Sequence, residues 1–299
     1  MITGQSGIFA LGTASHVYLE FDLLPGLAAE DLVRSLASIR EPRTTVGGVN
    51  LVSGFRPDLW RTVSPDDIPA GVTGFDRPIT GPDGFTMPAT QHDAVLWLAG
   101  SEYDVLFDEA RQAIQALAQV ASLADELSGW PYQRFRDLTG FIDGTENPSL
   151  LEAPDVVLVP PGAPGAGGTI LLLQRWPHDA AAWEALGVAA QEAAMGRTKA
   201  DSVELNPRPT NSHVARTDQD TFGNVFRRNM PYGTVSEHGT IFVGFSAEQQ
   251  PLQTMLESMA GVRDGVRDAL TMYTHPVSGA YYFMPANQVI ATFASPETT

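Results

Sequence analysis

Residues 16–23, His-Val-Tyr-Leu-Glu-Phe-Asp-Leu, alternate apolar and polar positions with a period of two, which predicts a strand. A helical spacing follows over 29–39, and the short β-rich run 49–53 predicts a second strand. Residues 56–90 are rich in Pro, Gly and Asp and read as loop. The continuous apolar run 94–98 predicts a further strand, leading into a strong helix over 103–120. The segment up to Trp130 reads either as more helix or as a last strand. The second half repeats the plan: strand 169–174, helix 181–195, strand 240–245, helix 251–272 and a closing strand 280–283.

Strand 94–98 with helix 103–120 resembles strand 240–245 with helix 251–272, a weak internal repeat. Two copies of a split β-α-β unit account for it. The predicted class is therefore α+β with antiparallel sheets. We place an N-terminal unit at 1–135, a motif loop at 136–149 and a C-terminal unit at 150–299. The Pro- and Gly-rich stretch 154–168 reads as an exposed connector.

Composition narrows the chemistry. The 299-residue chain is 43% hydrophobic and 18% charged, proportions of a folded globular protein. It has no cysteine, which excludes disulfides, thiolate nucleophiles, zinc–thiolate sites, iron–sulfur clusters and thiolate-ligated haem. A net charge of −17 with a single lysine, Lys199, argues against a nucleic-acid partner. The N-terminus lacks a secretory pattern and no run is long enough to span a membrane, so the expectation is a cytoplasmic protein.

Residues 140–148, Gly-Phe-Ile-Asp143-Gly-Thr-Glu-Asn-Pro, form the most informative string. Alone, Asp-Gly and Asn-Pro describe an ordinary turn. Downstream stand an isolated His213 and the pair Arg227-Arg228. His213 lacks a partner at metalloprotease spacing, but one axial imidazole suffices for a five-coordinate haem. Peroxide cleavage at such a centre needs a base and a fixed positive charge, roles suited to Asp143 and an arginine. If the chain is extended from Asn224 to Met230, Arg227 and Asn229 share one face and Arg228 points the other way, which selects Arg227. The ordinary reading of the pair is two solvated surface cations. Arg197 suits either a haem carboxylate or a helix C-terminus. Phe242 and Phe245 fall on opposite faces of a regular strand, so one of them can wall a pocket.

The 140–148 string, followed in order by Gly196-Arg197-Thr-Lys199, Asn211-Ser-His213, Arg227-Arg228-Asn229-Met-Pro231 and residues 277–283, resembles the dye-decolourising peroxidases, bacterial B-type. The likeness covers essentially the whole chain. It implies two ferredoxin-like units, a pocket for haem b between the sheet and helices of the second half, and a homodimer or higher homo-oligomer. It further implies oxidation of bulky aromatic reductants by hydrogen peroxide through a ferryl intermediate. By the same resemblance His213 is the proximal iron ligand, Asp143 the distal aspartate, Arg227 the distal arginine, Asn229 its polar neighbour and Arg197 the haem-propionate contact. Members often carry an acidic partner for the proximal histidine near the last helix–strand junction. Residues 270–274 hold no carboxylate, which leaves that partner unassigned. The competing expectation is a haem storage, trafficking or iron-release protein using the same axial histidine.

Overall fold

The computed structural model describes residues 3–39, 48–133 and 135–294. The first half runs β1 (Ser15–Leu23), α1 (Ala29–Ala37), β2 (Val49–Phe55), α2 (Pro57–Val63), a small hairpin β3 (Ile79–Thr80) and β4 (Thr86–Met87), β5 (Ala94–Gly100), α3 (Tyr103–Leu117) and β6 (Ala121–Gly129). After the 140–148 loop come α4 (Ala153–Val157), β7 (Thr169–Pro177), α5 (Ala180–Glu184), α6 (Val188–Met195), α7 (His213–Arg216) and α8 (Gln219–Phe222). Short strands β8 (Phe226–Arg227) and β9 (Met230–Gly233) lead to β10 (His238–Ser246), α9 (Gln249–Met259), β11 (Ala280–Met284) and α10 (Asn287–Ala291).

The paired strands are antiparallel, and the sheet order β7–β11–β2–β5–β1–β6–β9–β10 closes on itself because β10 also pairs with β7. The two joints between the halves are narrow: Phe283 opposite Phe55, and Gly129 opposite Tyr232. Alternation along each strand then sends side chains either inside or outside the closed sheet. Tyr18, Val52, Val95 and Trp97 from the first half meet Leu173, Ile241, Val243, Phe245 and Tyr282 from the second in one shared interior cluster. The outer faces are covered by helices. Leu32, Val33 and Leu36 of α1 and Leu106, Ala110, Ala113 and Leu117 of α3 pack on the first half, while Leu252, Leu256 and Met259 of α9 pack on the second.

The strands predicted at 16–23, 49–53, 94–98, 169–174, 240–245 and 280–283 all form, and 121–129 is a strand rather than more helix. Residues 56–90 are not all loop. Pro57 begins α2, where its missing N–H costs nothing, and buried Trp60 anchors that helix. The helix expected over 181–195 is two helices separated at Gly187, the N-cap of α6. That expected over 251–272 stops at Met259; Gly261, at φ +73°, turns the chain before a separate 3₁₀ turn at Ala269–Met272. No helix among the described residues is long and apolar enough to cross a membrane.

Candidate active site

On the outer face of β7 and β10, beneath α9, the packing opens into a cavity of about 1210 Å³, its mouth included. One wall is strand, with Leu172, Gln174, Trp176, Arg227, Thr240 and Phe242, joined by Asn229 from the link between β8 and β9. The other is helical, with His213, Val214, Thr217, Met255, Met259 and Leu270. The 137–146 segment lines it as well, through Asp137, Thr139, Phe141 and Asp143 to Glu146. All five residues singled out in the sequence, Asp143, Arg197, His213, Arg227 and Asn229, therefore reach one cavity.

His213 is the first residue of α7. Ser212 caps that turn, its Oγ accepting the Ala215 N–H at 3.4 Å. Gly196 sits against the cap at φ +94°, where a Cβ would lie 2.6 Å from Ser212 Oγ. Arg216, at the other end of α7, ties the turn to Ser258 of α9 (3.1 Å) and to Asp264 (2.9 Å). The imidazole Nδ1 lies 2.7 Å from Asp268 Oδ2, and the Asp268 side chain is fully buried. Burial works against the imidazolium, but the Asp268 charge and hydrogen bond outweigh it, with Asp137 adding to them, so the His213 pKa is raised overall.

Asp268 is the partner that residues 270–274 lack. Its Oδ1 accepts the Leu270 N–H at 2.9 Å, capping the 3₁₀ turn. It lies two residues before the 270–274 stretch. The available signal was an acidic residue starting a turn, and the overlong helix 251–272 hid it.

Among the other cavity residues, Asp143 Oδ1 accepts the Gly144 N–H at 2.7 Å. Asp137 holds a turn through Thr139, whose N–H it accepts at 2.9 Å and whose hydroxyl also donates to it. Burial first, then the nearby Asp143, raises the Asp137 carboxyl to about 6. Asn229 Oδ1 accepts the Val243 N–H at 3.1 Å. Arg197 Nη2 pairs with Glu146 (2.7 Å) and Glu204 (2.8 Å).

The alternation argument holds for the arginines. Arg227 and Asn229 line the cavity, while Arg228 turns into the closed sheet, 4% exposed. There its guanidinium donates to the carbonyls of Ile8 (2.8 Å) and Ala10 (2.9 Å) and lies 5.1 Å from the Trp97 ring centre. The pair is thus not two solvated surface cations. Phe242 walls the cavity, and Phe245 is buried in the interior cluster.

The cavity fits an oxygen-bearing cofactor on its own chemistry. Gln174 Nε2, Arg197 Nε and Arg227 Nε are buried donors of lining residues with no partner among the described residues, as expected where a ligand completes a polar wall. His213 has Nδ1 engaged, and Nε2 takes part in none of the described hydrogen bonds. No cluster of three or more His, Asp or Glu is placed to hold a bare metal ion among the described residues. The cavity thus brings one imidazole on a helical wall together with a carboxylate and a guanidinium, a set suited to proton transfer and charge stabilisation at a bound group.

Comparison with known proteins agrees. Residues 134–289 match the family model for the C-terminal part of Dyp-type peroxidases. The chain is 33% identical over 289 residues to a dye-decolorizing peroxidase of Brevibacterium linens, covering 92% of this chain and 78% of that one. It is 32% identical over 272 residues to a dye-decolorizing peroxidase of Mycobacterium tuberculosis, covering 83% and 81%. Among solved structures, a dye-decolorizing protein from V. cholerae superposes with a TM-score of 0.88 at 32% identity, covering 97% of this chain and 99% of that one. A variant of Rhodococcus jostii RHA1 DypB in complex with haem gives 0.84 at 29% identity, covering 95% and 98%. The chain belongs to the Dyp-type peroxidase family.

Proposed function

We propose that the protein is a haem b-dependent peroxidase that uses hydrogen peroxide to oxidise bulky aromatic donors, with the haem seated between the second-half sheet and its helices. The observation that carries this reading is the His213–Asp268 pair. A buried carboxylate holds Nδ1 and fixes the ring, and Nε2, beside the cavity that Asp143 and Arg227 also line, would hold the haem iron. Haem, when bound, supplies the redox chemistry that couples peroxide reduction to donor oxidation. The chain's own groups supply the rest. Asp143, with Oδ1 held by the Gly144 N–H, offers Oδ2 to take a proton from peroxide. The Arg227 guanidinium stabilises charge developing on the departing oxygen, and the amide of Asn229 donates beside it. Arg197, anchored by Glu146 and Glu204, would pair with a haem carboxylate.

Each half is, in the same reading, a ferredoxin-like split β-α-β unit. With the two-residue strands β3, β4 and β8 set aside, the orders β6–β1–β5–β2 and β11–β7–β10–β9 run fourth, first, third and second strand of each half in the same sequence across the sheet. This supports units at 1–135 and 150–299 joined by the motif loop 136–149. Assembly as a homodimer or higher homo-oligomer belongs to the reading too.

The test is reconstitution with haem, followed by the Soret band and by peroxide-dependent dye oxidation. Wild type binds haem stoichiometrically and turns over dye, and His213→Ala loses the axial-ligand spectrum and the activity together. Haem bound through His213 that peroxide only bleaches slowly would overturn the peroxidase reading in favour of a haem carrier.

A further inference from the structure

The strand that carries Arg227 is two residues long and lies at the end of the sheet order, with β10 as its ladder partner: Arg227 opposite Gly244 and Phe226 opposite Phe245. So short a strand is weakly held by its ladder alone. A side chain occupies the place where a second neighbouring strand would lie. Asn147 Oδ1 accepts the Arg227 N–H at 2.8 Å, and Asn147 Nδ2 donates to the Arg227 carbonyl at 2.8 Å. These are the two bonds that an opposed residue makes in an antiparallel ladder, supplied here by one amide from eighty residues away.

Asn147 is fixed in turn to the other half of the site. Its N–H donates to the Gly144 carbonyl at 3.0 Å, and the Gly144 N–H donates to Asp143 Oδ1 at 2.7 Å. Gly144 has φ +73°, and a Cβ there would stand 3.0 Å from Asn147 Nδ2, so the turn tolerates the amide because residue 144 is glycine. Three hydrogen-bonded links thus join the Asp143 carboxylate to the Arg227 backbone.

We propose that Asn147 is a positioning residue that sets where Arg227 stands relative to Asp143, acting through the Arg227 backbone. The 140–148 string then delivers one cavity carboxylate and also locks the strand bearing the cavity guanidinium. Its functional consequence rests on the peroxidase reading; its structural content does not. An ångström-scale displacement of a group that stabilises developing charge is enough to slow a reaction markedly.

Two measurements on Asn147→Ala, Arg227→Ala and the double variant test this. The first is backbone hydrogen exchange over residues 224–230 in haem-free protein, in wild type and Asn147→Ala. Loss of the clamp speeds exchange there roughly fivefold or more, the worth of about one hydrogen bond, with the rest of the second half unchanged. The second is the rate of the first spectral phase when haem-loaded protein meets hydrogen peroxide. Asn147→Ala slows it about tenfold or more, but adds nothing further in the Arg227→Ala background, because the two act as one unit. Unchanged exchange, or a loss that adds in full to that of Arg227→Ala, overturns the proposal. If Arg227→Ala alone reacts as fast as wild type, the role given to Arg227 fails, and the exchange result still decides the clamp. If Asn147→Ala proves unfolded, Asn147→Asp replaces it; that variant keeps the acceptor but sets an oxygen against the Arg227 carbonyl, and the same pattern is expected.

Discussion

The outer faces of the two halves present the same strand order and a different surface. In the first half, Val17, Leu19 and Phe21 of β1 and Leu96 and Leu98 of β5 meet α1 and α3 in continuous apolar contact. In the second, the corresponding first and third strands turn Gln174 and Thr240 outward among Leu172, Trp176 and Phe242, and the space under α9 stays open. One face is a core and the other a site. A handful of polar outward positions, together with helices α5 to α8 and the two-residue strand β8 between β7 and β9, separates them. The lesson is that the backbone plan is indifferent to function here, and the site resides in which residues face outward.

Breaking the first face costs stability. Leu96→Ala removes a fully buried side chain and lowers the unfolding free energy by about 2–5 kcal/mol, measured by denaturant titration, with haem loading unchanged at temperatures where the protein stays folded. The shared interior responds to pH instead. Glu20 is 8% exposed and accepts the Tyr282 hydroxyl; burial pushes its carboxyl up to about 7. The folded state therefore holds this proton more tightly than the unfolded chain does. The associated stability is complete below about pH 4.5 and lost as pH rises through about 7. Glu20→Gln removes that dependence, so relative to the variant the wild type loses up to about 3 kcal/mol between those limits. Asp137 contributes with the same sign in both proteins and cancels from the difference. An equal pH profile for the two would refute this account of Glu20.

The second face is tuned without touching the fold. Asp268→Asn keeps the volume and the capping oxygen but removes the anionic partner of His213. Haem affinity is expected to fall about 10–100-fold while the unfolding midpoint of haem-free protein moves little. A large drop in that midpoint with unaltered affinity would mean that Asp268 serves the fold alone.

Much of this difference was legible in the sequence. A strand with clean alternation, such as 16–23, and a β-rich apolar run, such as 240–245, announce themselves, and the two-residue strand period also separates Arg227 from Arg228 and Phe242 from Phe245. What resisted was structure held by long-range contacts. A buried tryptophan anchors α2 inside a Pro- and Gly-rich run, and a glycine in the left-handed region ends α9 within an apolar pattern. Asp268 was hidden inside that overextended helix. Asn147 looked like a turn residue, because nothing local reveals that its amide spans to Arg227.

The most direct test of the central claim is stopped-flow absorbance of haem-loaded wild type, Asp143→Ala and Arg227→Ala mixed with stoichiometric hydrogen peroxide. The account predicts a fast first phase in wild type, slowed about 10²–10³-fold in at least one variant that retains its haem. Both variants reacting as fast as wild type would contradict the assignment of this face as a peroxidase site built by those residues.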